Sequence, residues 1–115
     1  MSERNSIGEL EELVILIVAN LQEDAYGVSV KEELFTSANR KLNISSVHTT
    51  LDRLEKKGFL TSEVGGVSQE RGGRRKRLFK VTAYGLRVLK EQNELRRELY
   101  RKASLSNPEL GLNYV

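Results

Sequence analysis

Four apolar residues, Ile44, Val47, Leu51 and Leu54, follow one another at steps of three, four and three, and Gly58 stands four residues further on. That spacing puts them on one face of an α-helix; a strand would need a period of two. Asn43 precedes the run and can cap it, and Lys56 and Lys57 fill the last turn, where the helix dipole favours cations. The spacing therefore predicts a helix over 44–57, stopped by Gly58. Its opposite face is polar, carrying Ser45, Ser46, His48, Thr49, Thr50, Arg53, Lys56 and Lys57. The stripe must be covered by other elements of the chain, and the polar face is left to look outward.

The covering elements lie on both sides in sequence. Ser6 and Glu9 have capping-box spacing, and Leu10, Leu13, Val14, Ile17 and Leu21 follow at helical intervals, predicting a helix over 8–22. Leu16 and Val18 widen its stripe, so more than one partner should bury it. Gln22 to Gly27 reads as a turn. A second helix is expected over 27–38, with Ser29 and Glu32 at capping-box spacing, and Asn39 and Arg40 closing it. After Gly58 the period changes. Phe59 to Val64 reads as a strand, Gly65-Gly66 as the start of a loop, and Lys76 to Val81 as the returning strand of a hairpin. Thr82 can cap a last helix over 83–103, and the tail from 104 to 115 is expected to be irregular.

The hairpin tip is the most cationic part of the chain. Six of the ten residues from Arg71 to Lys80 are basic, and Gly72 and Gly73 sit among them. A charge run is by default a solvated loop. A glycine-hinged basic tip running into a strand also suits a polyanion, because arginine forks match phosphate geometry and neutralised phosphates release counterions. The glycines do not form a phosphate-binding loop, since neither nucleotide-binding glycine pattern is present. Charge is divided along the chain. Residues 1–24 hold six acidic groups and one basic group, and the rest hold ten and eighteen, so the anionic partner belongs to the later part.

Composition narrows the function classes. The 115 residues fit one domain with a modest core, which a second subunit would enlarge. There is no cysteine, which removes disulfides, thiolate nucleophiles and zinc clusters. The single histidine, His48, cannot build a metal site alone, and nothing marks an activated serine beside it. A surface position on the outward face is the expected role, with a packed structural histidine as the alternative. No paired carboxylates stand out, so an enzyme is not expected, and no cofactor is. No basic segment leads into an apolar run after Met1, and the longest apolar stretch, Leu13 to Ala19, is far too short for a bilayer. A cytoplasmic protein without membrane contact is the expectation.

The order helix, helix, helix, hairpin, helix is a mainly α chain with a small β-hairpin: a winged helix-turn-helix with an additional C-terminal dimerisation helix. Its parts divide into a winged helix-turn-helix over 1–82, the last helix over 83–103 and the tail. The helix over 44–57 takes the recognition position and the basic hairpin is the wing. Recognition helices enter the major groove and wings reach backbone or minor groove. Double-stranded DNA is thus the expected partner. Ser45, Ser46, His48, Thr49, Thr50 and Arg53 are the candidate contacts on the helix, and Arg71, Arg74, Arg75, Lys76 and Arg77 those on the wing. Sequence choice should fall mainly to the helix, and affinity to the wing. The last helix would be roughly 30 Å long, too long for this core to cover, so its distal half should pair with another chain. Asn93 could fix register there or simply be solvated. The competing reading is a winged-helix protein-interaction module whose basic wing docks on an acidic partner.

Three stretches carry a family resemblance. Ala25-Tyr26-Gly27-Val28-Ser29-Val30, the run from Ser46 to Leu60 containing Leu54-Glu55-Lys56-Lys57-Gly58, and Arg71 to Gly85 with its Gly-Gly-Arg-Arg-Lys-Arg and Thr82-Ala83-Tyr84-Gly85 together resemble the PadR-like transcriptional regulators. The likeness covers roughly residues 8 to 103. It implies a bacterial homodimeric regulator, most often a repressor, on a palindromic operator. It also implies dimerisation of the C-terminal helix, through Leu86, Leu89, Leu95 and Leu99, against Leu10, Leu13 and Ile17 on the partner's first helix. Two features depart from the pattern. His48 stands where relatives commonly have tyrosine, and the C-terminal region is short, as in the single-helix subgroup. Some relatives bind planar aromatic compounds between subunits with a tryptophan. This chain has none, so an effector, if one exists, is of unknown identity.

Overall fold

The computed structural model describes residues 7–67 and 75–111. Helix α1 spans Glu9–Leu21, α2 Gly27–Ala38, α3 Ile44–Lys56 and α4 Ala83–Ser106. Strands β1, Leu60–Val67, and β2, Arg75–Val81, form one antiparallel hairpin between α3 and α4. Single 3₁₀ turns occupy Gln22–Asp24 and Pro108–Leu110. This is the expected mainly helical winged architecture.

The helix ends follow from backbone N–H groups that need acceptors. Asn43 caps α3, its Oδ1 accepting from the Ser46 N–H at 2.8 Å. At the other end Gly58 takes φ 87°, a left-handed conformation that costs glycine little, and the Phe59 N–H closes back on the Leu54 carbonyl at 3.0 Å. Two expected caps shift. The residue flanking α1 is Gly8, whose N–H donates to the Glu11 carboxylate at 3.3 Å; Ser6 lies outside the described residues. In α2 the flanking residue is Tyr26, and Ser29 sits one turn inside, accepting from the Tyr26 N–H at 3.0 Å. The serine still serves the helix start, from its third position rather than before it.

The stripe of α3 is the centre of the core. Val47, Leu51 and Leu54 are fully buried, against Val14, Ile15 and Val18 of α1 and Val30 and Leu34 of α2. Ile15, absent from the expected stripe, is as buried as any of them. Helix α1 therefore spends its broad apolar face largely on its own chain.

The hairpin is bolted to this core at its root. Leu60 pairs with Val81, Ser62 with Phe79 and Val64 with Arg77, so these six share one face. Leu60 and Phe79 are buried, and exposure grows toward Val64 and Arg77. The Phe79 N–H also donates to the Ala25 carbonyl at 2.8 Å, tying β2 to the segment between α1 and α2. Gly65 and Gly66, expected to open the loop, lie within β1, which runs on to Val67 after a register shift.

Thr82 caps α4 as expected. Its Oγ1 accepts from the Gly85 N–H at 3.0 Å and donates to the Gly58 carbonyl at 2.7 Å. The rings of Phe59 and Tyr84 stack at 5.2 Å, and Gly85, Val88 and Leu89 are buried, so the first turns of α4 sit on the hairpin root and α1. Helix α4 outlasts the expected 83–103 by three residues. The segment behind it is not irregular through Gly111: the Ser104 hydroxyl contacts the Gly111 carbonyl at 2.6 Å beneath the turn at Pro108–Leu110. Leu112 and Tyr114, whose docking the sequence leaves open, lie outside the described residues.

Candidate nucleic-acid interface

Because Val47, Leu51 and Leu54 point into the core, the positions half a turn away point out. Ser45, Thr49, Asp52 and Lys56 are exposed, and Thr49, Asp52 and Lys56 follow at steps of three and four, so they form one line. Ser46 is half-buried on one flank. His48 is exposed on the other, and its imidazole closes over the first turn of α2. A β-carbon on Gly27 would lie 2.5 Å from Cε1 and 2.9 Å from Nε2, so only glycine admits the ring in this seat.

Thr50 does not belong to this face. It is 4% exposed, and its hydroxyl donates to the Ser46 carbonyl at 2.9 Å. A threonine can satisfy its own hydroxyl one helical turn back and leave its methyl to pack, which is how a polar residue enters this core. Arg53 is about half exposed, with a guanidinium nitrogen 3.9 Å from Glu11 of α1, and Lys57 reaches the same carboxylate at 3.0 Å. Asp52 and Lys56 were not among the expected contacts. Asp52 puts an acceptor on the outward line, which suits a cytosine amino group and repels phosphate.

On the wing, Arg77 lies on the hairpin face that turns toward α3. Its guanidinium donates to the Ser62 hydroxyl at 2.8 Å, and that hydroxyl lies 2.8 and 2.9 Å from the two oxygens of the Glu55 carboxylate. Helix α3 and the hairpin are thus joined by a polar chain of three residues. The Lys76 ammonium stands 4.1 Å from the centre of the Tyr26 ring, a cation–π contact that ties the wing to the start of α2. Lys76 and His48 thus each reach the start of α2, one at the Tyr26 ring and the other at Gly27, approaches that only the folded chain reveals. Arg71 and Arg74 lie outside the described residues, and Arg75 is described by its backbone alone.

The expected dimer residues divide. Ile17 and Leu89 are 7% and 9% exposed within their own chain, and Leu10 and Leu13 are partly buried against the same core. The first two are therefore already covered without a partner, because α4 crosses α1 intramolecularly. That crossing is fixed by Glu12, which holds Arg96 at 2.9 Å and Gln92 at 3.2 Å. Leu86, Leu95 and Leu99 are exposed, as is Leu16 of α1, which the sequence did not assign to an interface. Leu95 and Leu99 share a face, while Leu86, nine residues before Leu95, lies about 180° away around the helix.

Among the described residues no group of three potential ligands could hold a metal ion, and no helix is long and apolar enough to cross a membrane.

Comparison with known proteins places this geometry. The sequence profile of the transcriptional regulator PadR-like family matches residues 15–91, which spans α1 through the first part of α4. An uncharacterised protein of Lysinibacillus sphaericus is 29% identical over 86 residues, covering 73% of this chain and 74% of its own. The crystal structure of a PadR-like transcription factor from Bacteroides fragilis superposes with a TM-score of 0.67 at 22% identity, over 83% of this chain and 86% of that one. A PadR family regulator from Clostridium difficile gives 0.62 at 24% identity, over 86% and 97%. At these identities the two structures report a shared fold.

Proposed function

We propose, from the premise that this chain belongs to the PadR-like family of transcriptional regulators, that it represses transcription as a homodimer on a palindromic operator. Membership itself implies regulation through DNA binding. The observation that carries the finer reading is the outward line of α3 beside the wing cations Lys76 and Arg77, on elements linked through Ser62 and Tyr26. In this reading each α3 enters a major groove, with successive grooves about 34 Å apart. Ser45, Thr49 and Asp52 face base edges; Ser46 and His48 flank them; Arg53, Lys56 and the wing cations Arg71, Arg74, Arg75, Lys76 and Arg77 meet phosphates. Leu95 and Leu99 of α4 pack against Leu13 and Leu16 of the second subunit. Repression then follows from occupancy, since a protein seated across two grooves excludes polymerase.

The test is binding to a duplex from the protein's own promoter across a series of salt concentrations. Log affinity should fall linearly with log salt, by about 0.9 for each phosphate neutralised, and a scrambled duplex should bind more weakly. A flat salt response or equal affinity for the scrambled duplex would refute the reading.

A further inference from the structure

Arg53 of α3 and Lys57, the residue that follows the helix, end on one carboxylate of α1. Glu11 has a side chain only 12% exposed, with oxygens 3.0 and 3.4 Å from Lys57 Nζ and one of them 3.9 Å from Arg53. The same carboxylate accepts the Gly8 N–H that starts α1. Both cations keep an open side, Arg53 at 51% and Lys57 at 43% exposure, so each can turn outward on its flexible stem. Doing so strips a nearly buried carboxylate of its counter-charges, which is unfavourable.

We propose that Glu11 is an internal competitor for phosphate, setting how many cations the recognition helix yields to DNA. This inference rests on the DNA-binding reading above. It makes Glu11 a positioning residue that never touches the nucleic acid. In the free protein it holds Lys57 and Arg53 against α1, and each phosphate contact made by either residue displaces one of its partners. The carboxylate thus weakens binding to any sequence alike and leaves selection to the outward line of α3.

Glu11→Gln isolates this role, because the amide oxygen can still accept the Gly8 N–H while the charge is lost. With a duplex from the protein's own promoter, affinity at fixed salt should rise about 2- to 10-fold, the range of one or two partly exposed ion pairs. The slope of log affinity against log salt should steepen by about one to two units as one or two further phosphates are engaged. Glu98→Gln, which changes net charge equally on the distal part of α4, should leave that slope unchanged. Adding Lys57→Gln to the Glu11→Gln protein should return about one unit of slope. Should Glu11→Gln melt below the assay temperature, Glu11→Asp keeps charge and cap but shortens the reach, and should steepen the slope in the same direction. An unchanged or shallower slope in whichever variant folds overturns the proposal. If the wild-type protein itself shows no salt-dependent binding, the DNA-binding reading fails. If it binds and the variant matches it, only the role of Glu11 fails.

Discussion

Gly85 lies where α4 leaves the wing, and replacing it with alanine should separate two opposed effects. Within a helix, alanine is favoured over glycine by about 1 kcal/mol. Against this, a β-carbon at position 85 would lie 2.5 Å from the Phe59 carbonyl oxygen and 2.8 Å from Val81 Cγ1. Ordinary contacts begin at 3.4 Å, so the first is short by about 0.9 Å and the second by about 0.6 Å. The Phe59 oxygen is backbone, and it accepts the Thr82 N–H at 3.0 Å, so retreating costs that hydrogen bond. Overpacking costs about 1–3 kcal/mol and a weakened hydrogen bond about 0.5–1.5 kcal/mol. The clash should win, leaving Gly85→Ala less stable by about 1–3 kcal/mol, or roughly 4–12 °C in melting temperature for a chain of this size. Urea unfolding and thermal melting by circular dichroism, at matched protein concentration, measure it. A variant as stable as wild type would refute the reasoning, since it would mean that the first turn of α4 is not seated on the Phe59 carbonyl. The consequence reaches function, because that seat sets the direction in which α4 leaves the DNA-binding body.

Other outcomes follow from the same geometry. Gly27→Ala should evict the His48 imidazole, a side chain free to swing, so stability should change by no more than about 1 kcal/mol while promoter affinity falls; unchanged affinity would remove His48 from the interface. Leu95→Ser together with Leu99→Ser should convert a dimer to a monomer in analytical ultracentrifugation with helix content retained, and a persisting dimer would place the subunit contact elsewhere. The Glu98 carboxyl is lowered below its ordinary value by its hydrogen bond to Arg101 and by that residue's charge. A lowered folded value means that the pairing is complete above the unfolded carboxylate range and is lost as pH falls through the folded value. An NMR titration should therefore place the Glu98 midpoint below that of a free glutamate, returning toward it in Arg101→Gln.

The parts of the fold that the sequence discloses are those settled within a few residues. The α3 stripe, the Asn43 cap, the Gly58 stop and the Thr82 cap are each decided by a turn's worth of neighbours, and each stands where its spacing puts it. Errors arise where one residue type can satisfy itself in two ways. Thr50 reads as outward because it carries a hydroxyl, yet a bond to Ser46 lets it be buried. Ile17 and Leu89 are assigned to the interface by the family resemblance, and in the fold they are 7% and 9% exposed within their own chain, where the first turns of α4 cross α1. The candidate site was legible as a face and a wing, but not as a connected object. Glu11 and Lys57 are 46 residues apart, and Tyr26 and Lys76 are 50 apart; no local pattern announces that either pair meets.

Between Val64 and Val67 the first wing strand takes three steps where its partner, from Arg77 to Arg75, takes two. Beyond Val64 the extra residue therefore shifts the pairing of the two strands by one position. The extra residue thus separates the paired base, which holds Leu60 and Phe79, from the pair Val67 and Arg75. Deleting a single residue at Gly65 or Gly66 would remove that shift and restore an unbroken ladder between Val64 and Val67. The described wing cations Lys76 and Arg77 stand on β2, which carries no extra residue, so such a deletion would leave their faces unchanged and separate the contribution of the bulge from that of the charge.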